Sequence, residues 1–534
     1  MVALPKTDVD DRSTARAPWA GVSTRLAWAW PAAALLIVAA SLAPFAVVDV
    51  PAVLDYPNHL ARFYVLSHPH DPILSTMYAP HWAILPNVGM DMVGDALLRV
   101  LPPSIGGRII LALSLLAPLA GATLYARAAF GRWTWWSLGV GVVAFNGMFL
   151  LGLMNFQLGL GVALAGAGAW RMLRGQGRNA FAAIAGAAIG LCAFFCHLLG
   201  FGFFALLIVA EEADALLRLR REVGLAWRHL LATAAPLAVA LAPTALLYVL
   251  THHAAERGDL LAWRWDAKLV EWLSPFLTYD LRVATITGGV VVGITIVLWR
   301  RSQRASGVDL AVAALALLYA VAPFAAAGGT FLDTRIPLMV TLLAFAGIAP
   351  RVDWRMGASI AVAFSMLIVG RAALTVQNWQ GRAQDLAELR AQLAYVAPGA
   401  KILPSETALP DAFSPGSGRV LPNLSRLDEH LGALAVIERH AFWPLLFADP
   451  GQQPLVVRPP YDRISQPLGN AAPWNDLFAD PSTGAQVAHV PYLAGWRRRF
   501  DYVLLLGPKA AGPTPAGLSL VRAGDATSLY KINR

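Results

Sequence analysis

Apolar runs of bilayer-spanning length recur throughout the first 376 residues, and this limits the possible folds more than any motif does. A spanning helix needs about 20 mostly apolar residues, because the hydrocarbon core is about 30 Å thick and a helix rises about 1.5 Å per residue. Eleven stretches qualify, at 27–49, 106–126, 133–151, 153–172, 179–196, 198–217, 229–250, 283–300, 308–327, 335–350 and 356–376. Backbone groups in hydrocarbon must be satisfied within their own segment, so each stretch is predicted to be helical. No small-residue cleavage site follows "PAAALLIVAASLAPFAVV", so the first run reads as an uncleaved span. Of 534 residues, 57% are hydrophobic and 14% charged, against about 25% charged in soluble domains. Lipid is therefore the main solvent of this chain.

The net charge of +9 invites a nucleic-acid reading, but the basic residues are spread through short loops between apolar runs. With the N-terminus in the cytoplasm, the inward loops carry Arg127 and Arg132; Arg171, Arg174 and Arg178; Arg218, Arg220, Arg221 and Arg228; Arg300, Arg301 and Arg304; and Arg351 and Arg355. The tight outward turns near Gly152 and Leu199 carry neither Lys nor Arg. This is the positive-inside bias. It excludes a nucleic-acid groove and puts everything after residue 376 outside the cytoplasm. The two cysteines, Cys192 and Cys196, lie inside an apolar run and offer neither a metal spacing nor a disulfide framework.

The expected architecture is thus a polytopic α-helical domain over 1–376, with about eleven transmembrane helices, and a small extracytoplasmic α/β domain over 377–534. Long outward loops are expected at 50–105 and 251–282. In the second, "RWDAKLVEWLSPF" sets Trp265, Leu269, Trp272 and Leu273 on one helical face, the profile of a helix lying in the membrane interface. In the tail, "RAQDLAELRAQLAYV" is predicted helical with Leu386, Leu389 and Leu393 in one stripe. "HLGALAVIERHAFWPLLFA" reads as a second helix, "QPLVVRP" and "FDYVLLLG" as strands, and "SLVRAGDATSLYKI" as a closing hairpin.

Polar residues at the outward ends of the runs are the candidate site. "LDYPNHLARFYVL" supplies Asp55, His59 and Arg62; "GLMNFQLG" supplies Asn155 and Gln157; "FFCHLLG" supplies His197; "GGTFLDTRIP" supplies Asp333 and Arg335. Ionised groups in a span cost a few kcal/mol each, so their gathering at one face points to a hydrated pocket. Each also has a structural reading. Asp55 suits an N-cap ahead of Pro57, and His59 with Arg62 suits a solvated helix face. Asn155 and Gln157 suit interhelical hydrogen bonds, His197 a structural turn, and Asp333 with Arg335 a local ion pair. Four histidines in one loop (His59, His68, His70 and His81) match no tetrahedral zinc spacing. "GLGVALAGAG" reads as small-residue helix packing rather than a phosphate loop.

A first span leading to an acidic residue in a long outward loop, an interfacial helix, about eleven spans and an outward α/β tail together resemble the GT-C superfamily of integral-membrane glycosyltransferases. That class includes protein mannosyltransferases and the lipid A aminoarabinose transferase. The "LDYPNHLARFYVL" segment also resembles a motif of bacterial membrane proteins grouped with them. The resemblance implies a bacterial inner-membrane enzyme moving a sugar from a polyprenyl-phosphate donor to a lipid, glycan or protein acceptor. By resemblance Asp55 is the general base, and Arg62, Arg264 or Arg335 the counter-charge to phosphate. A divalent cation is compatible with such chemistry. Many relatives have adjacent Asp and Glu where this chain has Asp55 and Tyr56, so a second acid comes from elsewhere, with Asp71, Asp91 and Asp95 as candidates, or is absent. Two other functions fit the same architecture: a non-catalytic assembly or binding protein, and a transporter. A transporter needs charge across the bilayer, and the mid-span positions here are nearly free of it.

Overall fold

The computed structural model describes residues 28–224, 226–251, 261–326, 329–409, 418–479, 490–510 and 512–534. The polar segment ahead of the first span, with Arg12, Arg16 and Arg25, lies outside the described residues. Most of the chain is helical, and all eleven apolar stretches form helix over much of their length. Among the described residues, six helical segments are both long and apolar enough to cross a membrane: Ala29–Ala46, Pro103–Phe130, Asn179–Cys196, Trp227–Thr251, Leu281–Trp299 and Trp354–Leu393.

The other five stretches fall short of that standard for separate reasons. Trp136–Val143 winds as a tight 3-10 helix. Leu198–Glu222 is long, but Glu211, Glu212 and Asp214 interrupt its apolar character. Val308–Val321 has 14 residues, about 21 Å of rise, and Ile336–Ala346 has 11. Met154–Gly175 carries Asn155 and Gln157 and is walled in by protein, with most of its residues buried. Small residues allow that enclosure: a Cβ on Gly161 would stand 2.5 Å from backbone atoms of Ala117, and one on Gly200 2.9 Å from Gly159. The glycines of "GLGVALAGAG" therefore serve helix packing, as expected.

The loops between helices sort into two sets. In one, Arg171 pairs with Glu211 at 3.4 Å and donates to the Ser306 carbonyl. The Ser306 hydroxyl reaches Asp214, and Ser302–Arg304 pairs antiparallel with Ile348–Pro350. All of these belong to loops predicted to face inward or to the span ends beside them. In the other set, Asp55 N–H donates to Leu151, Gly147 N–H to Ser274, Ser274 to Thr334, and Tyr279 to Ala52. These belong to the loops predicted to face outward or to the span ends beside them.

The last long helix, Trp354–Leu393, has 40 residues, about 60 Å of rise, twice the hydrocarbon thickness. Its second half becomes part of the C-terminal domain, where Leu386, Leu389 and Leu393 are buried as the stripe predicts. Glu388 fixes it there by accepting from the N–H groups of Asp525, Ala526 and Thr527 at 2.8–2.9 Å. The domain's sheet has five strands in the order Ala472–Pro473, Ile402–Glu406, Tyr502–Leu506, Thr527–Ile532, Leu518–Arg522. The first three are parallel and the last two close as the predicted antiparallel hairpin.

One expectation for the tail needs correction. The second helix shrinks to Leu431–Ala433 and Leu434–Arg439, ending at His440 with φ +49°. Beyond it Ala441, Phe442, Trp443, Leu445 and Leu446 are buried; with no polar face to give to water, the chain instead runs extended beside Ala400–Ile402. "QPLVVRP" does form a strand, Leu455–Val457, but outside the sheet. It pairs antiparallel with Tyr78–Pro80 of the first outward loop. The interfacial helix is likewise only Lys268–Glu271 long, with Trp265 and Leu269 exposed and Lys268 turned inward.

Candidate active site

The first outward loop and the C-terminal domain close on each other around Asp55. Asp55 stands at the N-cap position of the helix Tyr56–Ser67, yet its side chain makes no capping hydrogen bond. The capping reading is therefore overturned: the carboxylate turns to the C-terminal domain, where Oδ1 lies 3.3 Å from His430 Nε2. Its backbone is held from behind by Gly152, whose φ of +87° brings it against Asp55. A Cβ there would come within 2.8 Å of the Asp55 Cβ.

His59 and Arg62 follow on the same helix; Arg62 is buried and His59 half-buried, neither on a fully solvated face. His59 lies between Phe63 and Phe447, with Nδ1 lacking a hydrogen-bond partner. Burial, and then the charge of Arg62, hold its pKa well below the usual histidine value. Arg62 is neutralised by Asp91, at 2.5 Å from Nε. Such a buried pair leaves little charge for a ligand.

His197 and Arg335, 138 residues apart, meet at 2.7 Å between Nε2 and Nη1. Leu199 N–H points at the other histidine nitrogen, Nδ1, at 3.0 Å; a neutral imidazole has one lone-pair nitrogen, so it accepts from only one of these two donors. Arg335 also donates to the Thr330 carbonyl and lies over the Phe156 ring. Its Nε is buried without a partner, and the Asp55 carboxylate is within electrostatic reach. Among the described residues Arg335 forms no ion pair, which leaves its charge for a ligand.

The remaining expected residues lie outside this group. Asn155 clamps the start of the Gly89–Leu98 helix, accepting from Met90 N–H and donating to the Asn87 carbonyl. Gln157 donates to Asn146. Asp333 does not pair with Arg335; its partner is Lys268, at 2.8 Å. Lys268 also donates to the Tyr319 and Ala322 carbonyls, and Arg264 lies over Phe324 nearby. This second cluster fastens the interfacial loop to the bundle.

The search for a second acid ends away from the expected loop. Asp91 belongs to Arg62, Asp95 to Arg99, and Asp71 caps the turn at Leu74 while facing His440. The acid beside Asp55 is Glu429, in the run Asp428-Glu429-His430 of the C-terminal domain. Burial raises its pKa above the ordinary glutamate value; the nearby His430 works against that and the Asp55 charge adds to it. Among the described residues no group of three or more His, Cys, Asp or Glu is arranged to hold a metal ion. The loop histidines diverge: His68 bonds Ser67 and Tyr64, while the His81 backbone bonds Pro454.

Fold and site define a helical protein with membrane-length apolar helices, in which the Asp55 loop meets His430 of the C-terminal domain and His197 meets Arg335. The sequence matches no family model and no curated protein.

Proposed function

We propose that the protein is an integral-membrane glycosyltransferase of the GT-C kind, acting at the outer face of a bacterial inner membrane. The observation that carries this reading is a carboxylate that makes no capping bond, within electrostatic range of a buried arginine that forms no ion pair among the described residues: Asp55 and Arg335, with His430 3.3 Å from the first and His197 2.7 Å from the second. Asp55 accepts the proton of the acceptor hydroxyl as that oxygen bonds to the anomeric carbon. The bond from the anomeric carbon to phosphate oxygen breaks, and the polyprenyl phosphate leaves with the electron pair. Arg335 balances the charge that develops on it, guanidinium being well matched to phosphate oxygens. Arg62, already neutralised by Asp91, serves the fold instead.

The loop sorting supports the eleven-span topology. One of the six long apolar helices precedes the Asp55 loop, and five lie between it and the C-terminal domain. Five crossings would leave loop and domain on opposite faces, yet they share a strand pair and the Asp55–His430 contact. An even number of crossings is needed, and the eleven predicted stretches supply ten. The loops richest in arginine then all face the cytoplasm.

The test is Asp55→Asn in protein reconstituted with a lipid extract of the source membrane, which supplies donor and acceptor. Consumption of polyprenyl-phosphate sugar is expected to fall by about 100-fold or more, with insertion and melting unchanged. Undiminished consumption overturns the reading.

A further inference from the structure

We propose that His430, delivered by the C-terminal domain, is the positioning residue for Asp55: its Nε2–H holds Oδ1 and presents Oδ2 to the acceptor hydroxyl. This rests on the reading of Asp55 as base. It also means that neither the membrane domain nor the tail has a complete site alone.

Asn58 lies one turn after Asp55 on the same helix. Its Oδ1 accepts from Phe447 N–H at 2.7 Å, and its Nδ2 donates to the Leu445 carbonyl at 2.7 Å. A backbone N–H can only donate and a carbonyl can only accept, so the orientation of the amide is fixed. The same Nδ2 lies 3.2 Å from His430 Nδ1. An amide nitrogen offers only hydrogens, so Nδ1 must offer its lone pair. The ring is therefore neutral, its proton sits on Nε2, and that nitrogen lies 3.3 Å from Asp55 Oδ1. Phe447 packs edge-on against the ring at 4.9 Å and fixes its plane. Oδ2 of Asp55 has no protein partner among the described residues, and the side chain is 20% exposed.

The chemistry follows. A neutral imidazole orients the carboxylate without neutralising it, so Asp55 keeps its basicity. During transfer the acceptor proton moves to Oδ2, and the His430 proton stays on Nε2. A second proton on the ring does two kinds of damage. It would drive an N–H at Nδ1 against the Asn58 amide, and it would place a cation on Asp55, lowering its proton affinity. The groups facing the ring are Asp55 and His59 from the loop helix and Glu429 on its own segment, with Arg426 and Asp428 behind Glu429 and Arg335 beyond Asp55. Burial disfavours the charged ring, but the Asp55 hydrogen bond and the Asp55 and Glu429 charges outweigh it, so the pKa lies above the ordinary histidine value. An acid limb in the rate is expected, centred above that value.

Two measurements test the proposal in the full-length chain. In nanodiscs, ¹⁵N-histidine spectra are expected to show His430 as the Nε2–H tautomer at alkaline pH, with its pKa lowered by Asp55→Asn. An Nδ1–H tautomer, or a pKa indifferent to that substitution, overturns it. In the transfer assay, His430→Gln keeps a donor at similar reach and is expected to stay within a few-fold of wild type while losing the acid limb. His430→Phe fills the space without donating, and is expected to lose about ten-fold or more in kcat with KM little changed. If Asp55→Asn is inactive while His430→Phe keeps the wild-type rate and pH profile, the His430 assignment fails and the base reading stands. If Asp55→Asn is fully active, both fall.

Discussion

Gly152 sets the position of Asp55 from behind, and its backbone conformation leaves no room for another residue. A side chain at φ +87° is strained, by about 1–3 kcal/mol, and its Cβ would meet both the Cβ and the backbone nitrogen of Asp55 at 2.8 and 2.9 Å. Gly152→Ala is therefore expected to push Asp55 off line and cost about ten-fold or more in kcat. Parallel melting curves in detergent separate this from the small loss of stability. At this scale the sequence was legible wherever polarity was out of place. Asp55, His197 and Arg335 stood out because apolar neighbours made them expensive, and the structure brings all three together. Asp333 and Arg264 stood out for the same reason, yet they serve the Lys268 cluster. Polarity marks a residue as paired with something; it does not say with what. His430 and Glu429 gave no such signal, because a histidine and a glutamate are ordinary in a water-facing domain, and 372 residues separate Asn58 from its His430 partner. The one hint was the unbroken titratable run Asp428-Glu429-His430.

Two elements join the halves of the molecule. The helix Trp354–Leu393 continues without a break from the bundle into the domain, and the strand pair Tyr78–Pro80 with Leu455–Val457 ties the domain back to the first loop. Ala79 lies directly opposite Val456, and facing residues in antiparallel strands have Cα atoms about 4.5–5.5 Å apart, within disulfide reach. With Cys192 and Cys196 replaced by serine, Ala79→Cys/Val456→Cys is expected to cross-link under mild oxidation. Mass spectrometry of the linked peptides checks it. Long apolar helices were readable from length and composition because bilayer thickness imposes both. Short strands were not: Tyr78–Pro80 has three residues, too few for an alternating pattern. Ile402–Glu406 contains Pro404, which speaks against a central strand. It is tolerated where the two-residue neighbour Ala472–Pro473 does not reach. The second tail helix is shorter than its sequence suggests because a run of apolar residues enclosed by protein on all sides has no periodicity to read.

Taken whole, the connecting segments fall into two sets. Arginine-bearing loops contact one another, loops carrying the polar candidates contact one another, and the two sets do not mix in the contacts described above. The topology expected from charge divides the loops into the same two groups, because the positive-inside bias acts on every loop independently. Domain closure onto the first loop was not readable in advance. It depends on surface fit between segments that sequence spacing does not relate.

The central claim is that the Asp55 loop and the C-terminal domain meet outside the cytoplasm. Single cysteines at Ile84 in the loop and Leu520 in the domain, both exposed, can be labelled with a membrane-impermeant maleimide in sealed right-side-out vesicles. Both positions are expected to label fully without detergent. Labelling of either one only after permeabilisation would contradict the account.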